Sequence, residues 1–152
     1  MHLKNYQQRC LEVLSRYFQS CLQTGDSDLA FYNVTRQIYE QGLPYHQVAE
    51  LPGMPYVCLR VPTGGGKTLI ACHSVSLVVR EYQRVDHGLV LWLAPSKTIR
   101  DQTINALKDR KHPYRQALES TLGAVTVLDL GEAHTGREQA EPEVVVLGPA
   151  AV

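Results

Sequence analysis

The segment Thr63–Thr68, which reads Thr-Gly-Gly-Gly-Lys-Thr, constrains the fold of this chain more than any other feature. It follows the β-rich run Tyr56–Val61 and opens the stretch Thr68–Tyr82, whose apolar residues recur with a helical period. A glycine-rich turn in that position lets successive backbone N–H groups point into one concavity, and the helix adds the positive end of its dipole. The sequence therefore predicts a strand, an anion-binding loop and a helix.

The residue types in this loop suit the phosphates of a nucleotide. Gly64, Gly65 and Gly66 provide tight backbone without Cβ clashes. Lys67 would reach the β- and γ-phosphates, and the Thr68 hydroxyl would coordinate Mg²⁺. We therefore expect a nucleotide and its magnesium ion at this loop.

Two further positions bear on this prediction. Thr63 opens the loop and belongs to the predicted nucleotide site. Val61 stands where the general pattern GxxxxGK[ST] has its first glycine, but the three consecutive glycines still supply the tight backbone. The alternative is a glycine-rich turn with an incidental lysine. The strand and helix predicted on either side favour the nucleotide site.

Short apolar runs and helical stretches alternate after the loop. The run Leu89–Ala94 precedes Lys97–Lys108, whose apolar residues lie on one helical face, and Val125–Leu130 and Val144–Leu147 are two further apolar runs. Near-continuous apolar strands separated by helices are typical of a parallel sheet covered on both faces. The predicted class is α/β.

The chain before the loop is predicted to be helical. Apolar residues in Leu3–Leu22 recur at three- and four-residue steps, as on a helix with one buried face. The turn cluster Thr24–Asp28 ends in a Ser and an Asp, either of which can cap a second helix over Leu29–Glu40, closed by Gly42. Residues Gly42–Pro55 contain three prolines and two glycines and are predicted to form a loop.

The chain therefore divides into an N-terminal part, residues 1–55, and a sheet-forming part, residues 56–152. It stops at residues 148–152, directly after a strand-like run and without the covering helix that an α/β sheet would next need. We therefore expect the sheet to be incomplete and the chain to be the N-terminal portion of a longer product or the result of a broken reading frame.

Composition excludes several classes of protein. Fifteen basic and fifteen acidic residues cancel, so any contact with nucleic acid must be local. The four cysteines form no CxxC pair and are expected to be reduced, and the six histidines show no close metal-ligand spacing. We predict no metal beyond nucleotide-borne Mg²⁺. No apolar run approaches the roughly 18 residues of a membrane-spanning helix, and the expected location is cytoplasmic.

Three segments carry a family resemblance. Val61–Thr68 looks like motif I of superfamily-2 helicases and translocases, and its triple glycine after Val-Pro is similar to the restriction subunits of type III systems. Leu93–Thr103 resembles motif Ia, and Leu3–Gln7 resembles the element before motif I whose glutamine faces adenine. The three segments follow the order of that family's first RecA-like lobe and cover the chain to about residue 115.

The resemblance implies a P-loop NTPase fold, a three-layer sandwich around a mainly parallel sheet, in an ATP-dependent DNA helicase or translocase. It implies ATP and Mg²⁺ as cofactors, Lys67 as the catalytic lysine and Gln7 as an adenine contact. DNA would be contacted by residues of motif Ia, namely Pro95, Ser96, Lys97 and Thr98. A second helicase lobe in the parent chain would be one partner and a methylation subunit another.

The residues themselves leave alternatives beside these roles. The region around motif Ia carries six basic residues against two acidic ones (Lys97, Arg100, Lys108, Arg110, Lys111 and Arg115 against Asp101 and Asp109). Such a face could contact DNA phosphates or could simply be solvated. Gln7 could be an ordinary surface glutamine, and Tyr6 is expected to pack against its neighbours.

The tetrapeptide Gly131-Glu132-Ala133-His134 invites comparison with the DEAH box, motif II of the same family, but we reject it because glycine replaces the first, metal-holding acid. Val144–Leu147 looks like the strand leading into motif Ib, although Gly148-Pro149-Ala150 replaces its usual Thr-x-Gln end. With motif II and the second lobe absent, residues 1–152 alone are predicted to bind nucleotide weakly and to hydrolyse it hardly at all.

Two other functions remain open. One is a non-catalytic nucleotide-binding module or a truncated remnant of a helicase. Motif I alone does not distinguish either of these from a working motor. The other is a P-loop kinase or another small nucleotide enzyme, which the segment resembling motif Ia disfavours.

Overall fold

The computed structural model describes residues 2–86, 88–129 and 143–147. It contains five α-helices, one π-helical segment and three strands in those ranges. They are α1 (Asn5–Thr24), α2 (Ser27–Tyr39), α3 (Lys67–Ser76), the π-helical segment (Leu77–Gln83), β1 (Leu89–Leu93), α4 (Lys97–Lys108), α5 (Pro113–Leu122), β2 (Thr126–Asp129) and β3 (Glu143–Leu147). The element order is helical first and alternating afterwards, as the sequence predicts.

The three strands are parallel and lie in the order β1-β3-β2. Glu143 of β3 is in register with Leu89 of β1 on one side and with Thr126 of β2 on the other. Parallel neighbours require crossover connections, and α4 and α5 lie between β1 and β2 in the chain. These short pairings hold together the part of the sheet that the structure describes.

The helices α1 and α2 begin and end at recognisable capping residues. Gly25, in the left-handed conformation, ends α1 and donates its N–H to the Cys21 carbonyl. Asp26 caps α2 by accepting from the N–H groups of Asp28 and Leu29. The cap therefore lies one residue before the predicted Ser27 and two before the predicted Asp28, and α2 begins at Ser27 rather than at position 29.

Two apolar clusters meet at the helix that follows the glycine loop. The first joins α3, α4, α5 and the start of β2 through buried residues that include Leu69, Leu107 and Leu118. The second joins α1 and α2 through Phe18 and its neighbours, against which Val78 of the π-helical segment packs. Because α3 and its π-helical continuation touch both clusters, the loop that precedes them stands on a fixed base.

The strand predicted over Tyr56–Val61 is wrong. This segment is extended but pairs with no strand among the described residues. Its alternate side chains, including those of Val57 and Leu59, pack partly buried against the second apolar cluster. The alternating pattern is thus explained by side-chain packing, which does not require a hydrogen-bonded strand on either side.

One face of β1 is covered and the other is open in the described part of the chain. Val90 and Trp92 pack against the first apolar cluster. Leu89, Leu91 and Leu93 point the other way and are 72%, 59% and 69% exposed. The sequence predicted a sheet covered on both faces, but within the described part of the chain only one face of β1 is covered.

Helix α5 was not predicted from the sequence. Pro113 is its first residue, His112 caps it by accepting the Tyr114 N–H at Nδ1, and Gly123 follows its end. Proline at the first helical position and glycine after the last are regular helix signals. The sequence therefore contains the signals of this helix, although the basic residues up to Arg115 suggest a phosphate-contacting surface instead.

Arg115 of α5 is a buried structural residue. It is 5% exposed, donates to Glu119 Oε1 at 2.8 Å and to the Leu107 carbonyl at 3.3 Å, and also donates to the Val125 carbonyl. The Leu107 and Val125 carbonyls belong to the last turn of α4 and to the approach to β2. One guanidinium therefore joins three successive parts of the chain.

We predict that Arg115→Met lowers the free energy of unfolding by at least about 2 kcal/mol, since it leaves two buried carbonyls without a donor at about 1–3 kcal/mol each. Urea denaturation followed by circular dichroism measures the change. Arg110→Met, at an exposed position, is the matched control and should change stability by less than about 0.5 kcal/mol. Equal effects of the two substitutions would contradict the structural role of Arg115.

Candidate nucleotide-binding site

The glycine loop is closed by its own backbone. The Gly65 N–H donates to the Pro62 carbonyl at 3.0 Å, which turns the chain back before α3. Gly64 and Gly66 both have φ = +75°, the left-handed region that other residues rarely adopt. Gly66 is also the residue before the first helical position, and its carbonyl accepts from the Ile70 N–H at 3.0 Å. The loop therefore leads directly into α3.

The middle glycine is required by space. A Cβ on Gly65 would lie 2.7 Å from Val61 Cγ1 and 2.9 Å from the Pro62 carbonyl oxygen. Val61 occupies the position at which the general pattern has a glycine, and its side chain fills the space above Gly65. The departure from the pattern is thus accommodated because residue 65 has no side chain.

Lys67 is folded back onto its own loop. Its Nζ donates to the carbonyls of Val61 and Pro62, both at 3.1 Å. The lysine is exposed, so a ligand could reach it. Two neutral carbonyls bind an ammonium group less strongly than phosphate oxygens do, because hydrogen bonds between two charged groups are the stronger ones. The observed contacts therefore hold Lys67 beside the loop without a strong competing partner.

The start of α3 offers donors to an anion. No side chain caps its first turn, and the N-cap residue, Gly66, has none to offer. Such a helix end presents N–H groups and the positive end of the dipole. Thr68, in the first turn, is partly buried, and Thr63 is exposed at the other end of the loop. The glycines, the uncapped turn and Lys67 together fit a polyphosphate.

Burial keeps the next ionisable groups of α3 neutral near pH 7. It raises the pKa of the Cys72 thiol to about 12 and lowers the pKa of His73 below its usual value. Neither side chain therefore adds charge to the helix near neutral pH. The positive charge of the first turn of α3 therefore comes from the Lys67 side chain.

Gln7 lies against the loop and is buried, at 5% exposure. Its Nε2 donates to the Gly65 carbonyl at 3.0 Å, and its Oε1 accepts from the Lys4 N–H at 2.9 Å. The alternative of an ordinary surface glutamine is therefore wrong. The predicted contact with adenine would need this amide to exchange partners, because both of its polar atoms bond within the chain.

Tyr6 contacts the same carbonyl. Its hydroxyl donates to the Gly65 oxygen at 2.8 Å while its ring remains 40% exposed. The expectation that Tyr6 packs against its neighbours missed this bond. No sequence signal pointed to it, since the partner is a backbone atom 59 positions away.

The segment resembling motif Ia lies at the start of α4. Pro95, Lys97 and Thr98 are exposed, whereas Ser96 is the N-cap and its Oγ accepts from the Ile99 N–H at 3.3 Å. The structure therefore places all four predicted contact residues around one helix N-terminus, with the Ser96 hydroxyl already used by the helix.

The basic face predicted near α4 is smaller than its sequence implies. Arg100 forms ion pairs with Asp101 at 2.8 Å and with Asp129, and the hydrogen bond that it donates to the Asp129 carboxylate raises the pKa of the guanidinium. Arg115 is buried. Two of the six basic residues thus serve the fold, which corrects the prediction that all six could contact phosphates.

The described residues contain no cluster of three or more histidine, cysteine or acidic side chains able to hold a metal ion. The tetrapeptide compared with the DEAH box and the end compared with motif Ib lie outside the described residues. Across the described ranges, no helix has both the length and the apolar character needed to cross a bilayer.

The family comparison implies the fold of a P-loop NTPase of the helicase superfamily-2 type. A family model described as the res subunit of type III restriction enzymes matches residues 1–146, and the chain belongs to this family. Its members generally use ATP and Mg²⁺, and the chain is a helicase-like N-terminal segment. No curated protein and no solved structure matches it.

We predict that Gly65→Ala lowers the free energy of unfolding by about 1–3 kcal/mol, because the new Cβ overlaps Val61 and Pro62. Thermal denaturation of four proteins measures it: wild type, Gly65→Ala, Val61→Ala and the double variant. Val61→Ala removes Cγ1 and should recover part of the loss in the double variant. Strict additivity of the two single effects would contradict the proposed fit between Val61 and Gly65.

Proposed function

We propose that this chain is the ATP-binding N-terminal segment of an ATP-dependent DNA helicase or translocase similar to restriction subunits. The observation that carries the proposal is the glycine loop with its uncapped helix, because glycines, free helix donors and a lysine converge there. ATP would bind along Thr63–Thr68, with the N–H groups of Gly64 and Gly66 facing its phosphates, while the Gly65 N–H stays on the Pro62 carbonyl.

Each loop side chain then has a defined task. Lys67 exchanges the carbonyls of Val61 and Pro62 for the β- and γ-phosphates and stabilises their charge, as a catalytic lysine in the complete enzyme. Thr68 directs its hydroxyl to the Mg²⁺ that accompanies the nucleotide, and this ion neutralises phosphate charge. Gln7 releases its amide from the Gly65 carbonyl if it is to face adenine.

The segment binds nucleotide but does not hydrolyse it appreciably. Phosphoryl transfer needs metal-holding carboxylates and a water-orienting group, and commonly an arginine from another lobe. The described residues hold no acidic cluster of the kind that coordinates a metal. In the proposed motor, turnover belongs to a parent protein in which a second lobe closes on this one, with a methylation subunit as a further partner in the cytoplasm.

A second candidate is a non-catalytic nucleotide-binding module or a remnant of such an enzyme. The same loop geometry supports it, since the roles proposed for Lys67 and Thr68 in binding do not depend on hydrolysis. In the motor, the open face of β1 with its exposed leucines would be covered and the three-layer sandwich completed. In the independent module, that face would remain open.

We predict that Lys67→Ala weakens binding of Mg²⁺-ATP by about ten- to a hundredfold, the equivalent of the roughly 1.5–3 kcal/mol of a charged hydrogen bond. Isothermal titration calorimetry measures the affinity. Lys111→Ala, at another exposed lysine, is the control and should leave it unchanged. If Lys67→Ala binds Mg²⁺-ATP as tightly as the wild type, the glycine loop is not the ATP site. If the wild type hydrolyses ATP and the variant does not, the proposal that the segment lacks hydrolysis is wrong.

The DNA-binding role is proposed for the start of α4. Pro95, Lys97 and Thr98 are exposed beside the first N–H groups of the helix, where phosphates are favoured. The Ser96 hydroxyl caps the helix, so a contact from Ser96 would come from its backbone. This is a small basic surface on a neutral chain, and its affinity for DNA should depend on salt.

We predict that Lys97→Glu weakens binding to single-stranded DNA and lowers the slope of log K against log[salt] by about 1, the contribution of one phosphate contact. Fluorescence anisotropy across a sodium chloride series measures both quantities. Arg36→Glu, an exposed charge reversal on α2, is the matched control. Equal effects of the two variants would mean that α4 makes no specific contact with the DNA backbone.

A further inference from the structure

Two adjacent side chains of α1 converge on one backbone atom of the glycine loop. Tyr6 donates its hydroxyl to the Gly65 oxygen at 2.8 Å, and Gln7 donates Nε2 to the same oxygen at 3.0 Å. The Gln7 amide is itself fixed, because its Oε1 accepts from the Lys4 N–H. The carbonyl is therefore held by two donors from a single helical turn.

This arrangement fixes the orientation of the peptide group between Gly65 and Gly66. The described chain has no cis peptide bond, and in a planar trans peptide the carbonyl and the N–H point in opposite directions. With the Gly65 oxygen directed at α1, the Gly66 N–H points away from α1. Glycines rotate easily, so without these two donors the same peptide group could turn over at little cost.

Gly66 and Gln7 are also in steric contact distance. A Cβ on Gly66 would lie 2.5 Å from Gln7 Nε2, which is too close for any side chain. The helix and the loop can therefore approach this closely only because residue 66 is a glycine. Gln7 is buried in this contact, whereas the Tyr6 ring stays partly exposed. Tyr6 therefore acts on the loop through its hydroxyl.

We propose that Tyr6 is a positioning residue for phosphate binding. Its hydroxyl, together with the Gln7 amide, holds the Gly65–Gly66 peptide group so that the Gly66 N–H is presented to the phosphate. The inference rests on the proposed nucleotide function of Thr63–Thr68. It assigns to the first turn of α1 a role toward the phosphates, separate from any contact that this turn makes with the base.

The test compares two ligands, Mg²⁺-ATP and inorganic tripolyphosphate with Mg²⁺, which lacks a base and a sugar. Tyr6→Phe removes the hydroxyl and keeps the ring, and should weaken both ligands by the same factor of about three to ten, the worth of one neutral hydrogen bond. Tyr39→Phe, at a 60% exposed tyrosine of α2, is the control and should change neither affinity.

A second readout separates positioning from general stabilisation. The amide resonance of Gly66, followed by NMR, should shift in free Tyr6→Phe and should respond less to tripolyphosphate than in the wild type. A merely structural role would lower the melting temperature without altering the Gly66 resonance or the ligand affinities at a temperature where the variant is folded, and it would overturn the inference.

The remaining outcomes are also decisive. If Tyr6→Phe binds both ligands normally while Tyr6→Ala loses affinity for ATP alone, the exposed ring stacks on the base and the positioning role is overturned. If the wild type binds neither ligand, the proposed nucleotide function fails. If the wild type binds tripolyphosphate and Tyr6→Phe binds it equally well, only the role of Tyr6 fails.

Discussion

The hydrogen bonds accepted by the Gly65 carbonyl connect the two parts of the chain on which the site depends. Tyr6 and Gln7, from the first turn of α1, donate to an oxygen in the middle of the glycine loop. The loop residues themselves have few side-chain contacts, and flexible glycines do not hold a shape alone. The loop keeps its shape because a helix distant in sequence fixes one of its peptide groups.

That contact is effective because both of its ends are anchored in packed cores. Helix α1 packs through Leu14, Tyr17 and Phe18 in an apolar cluster that also contacts the π-helical segment, Leu77–Gln83. Helix α3 packs through Leu69 and Cys72 in a second cluster with α4 and α5. Close-packed interiors transmit position from one element to the next, so the loop inherits the rigidity of its surroundings.

Much of this architecture could be predicted from local sequence signals. The helix Lys97–Lys108 has the predicted bounds, and the glycine loop precedes α3 as expected, because periodicity and glycine placement are local properties. The segment Tyr56–Val61 shows the limit, since pairing depends on a partner strand that its own residues do not specify. The missed helix α5 carried usable signals at Pro113 and Gly123.

The site was less predictable than the fold. Residue types identified Lys67 and Thr68 as candidates. The hydrogen-bond partners of Gln7, Arg100 and Arg115, by contrast, come close to these side chains only when the chain folds. A count of charges in the sequence likewise gives all basic residues of the α4 region the same weight. In the structure, burial of Arg115 and ion pairing of Arg100 make these two unavailable to a ligand. Long-range contacts therefore decide which polar residues remain available to a ligand.

The proposed function depends on the binding of nucleotide phosphates by Thr63–Thr68, with Lys67 moving from backbone carbonyls to the phosphates. A crystal structure of the chain with Mg²⁺ and a non-hydrolysable ATP analogue tests this most directly. We expect phosphates against the N–H groups of the glycine loop, with Lys67 Nζ moved from the Val61 and Pro62 carbonyls to the phosphate oxygens. An analogue bound elsewhere, with Lys67 still on those carbonyls, would contradict it.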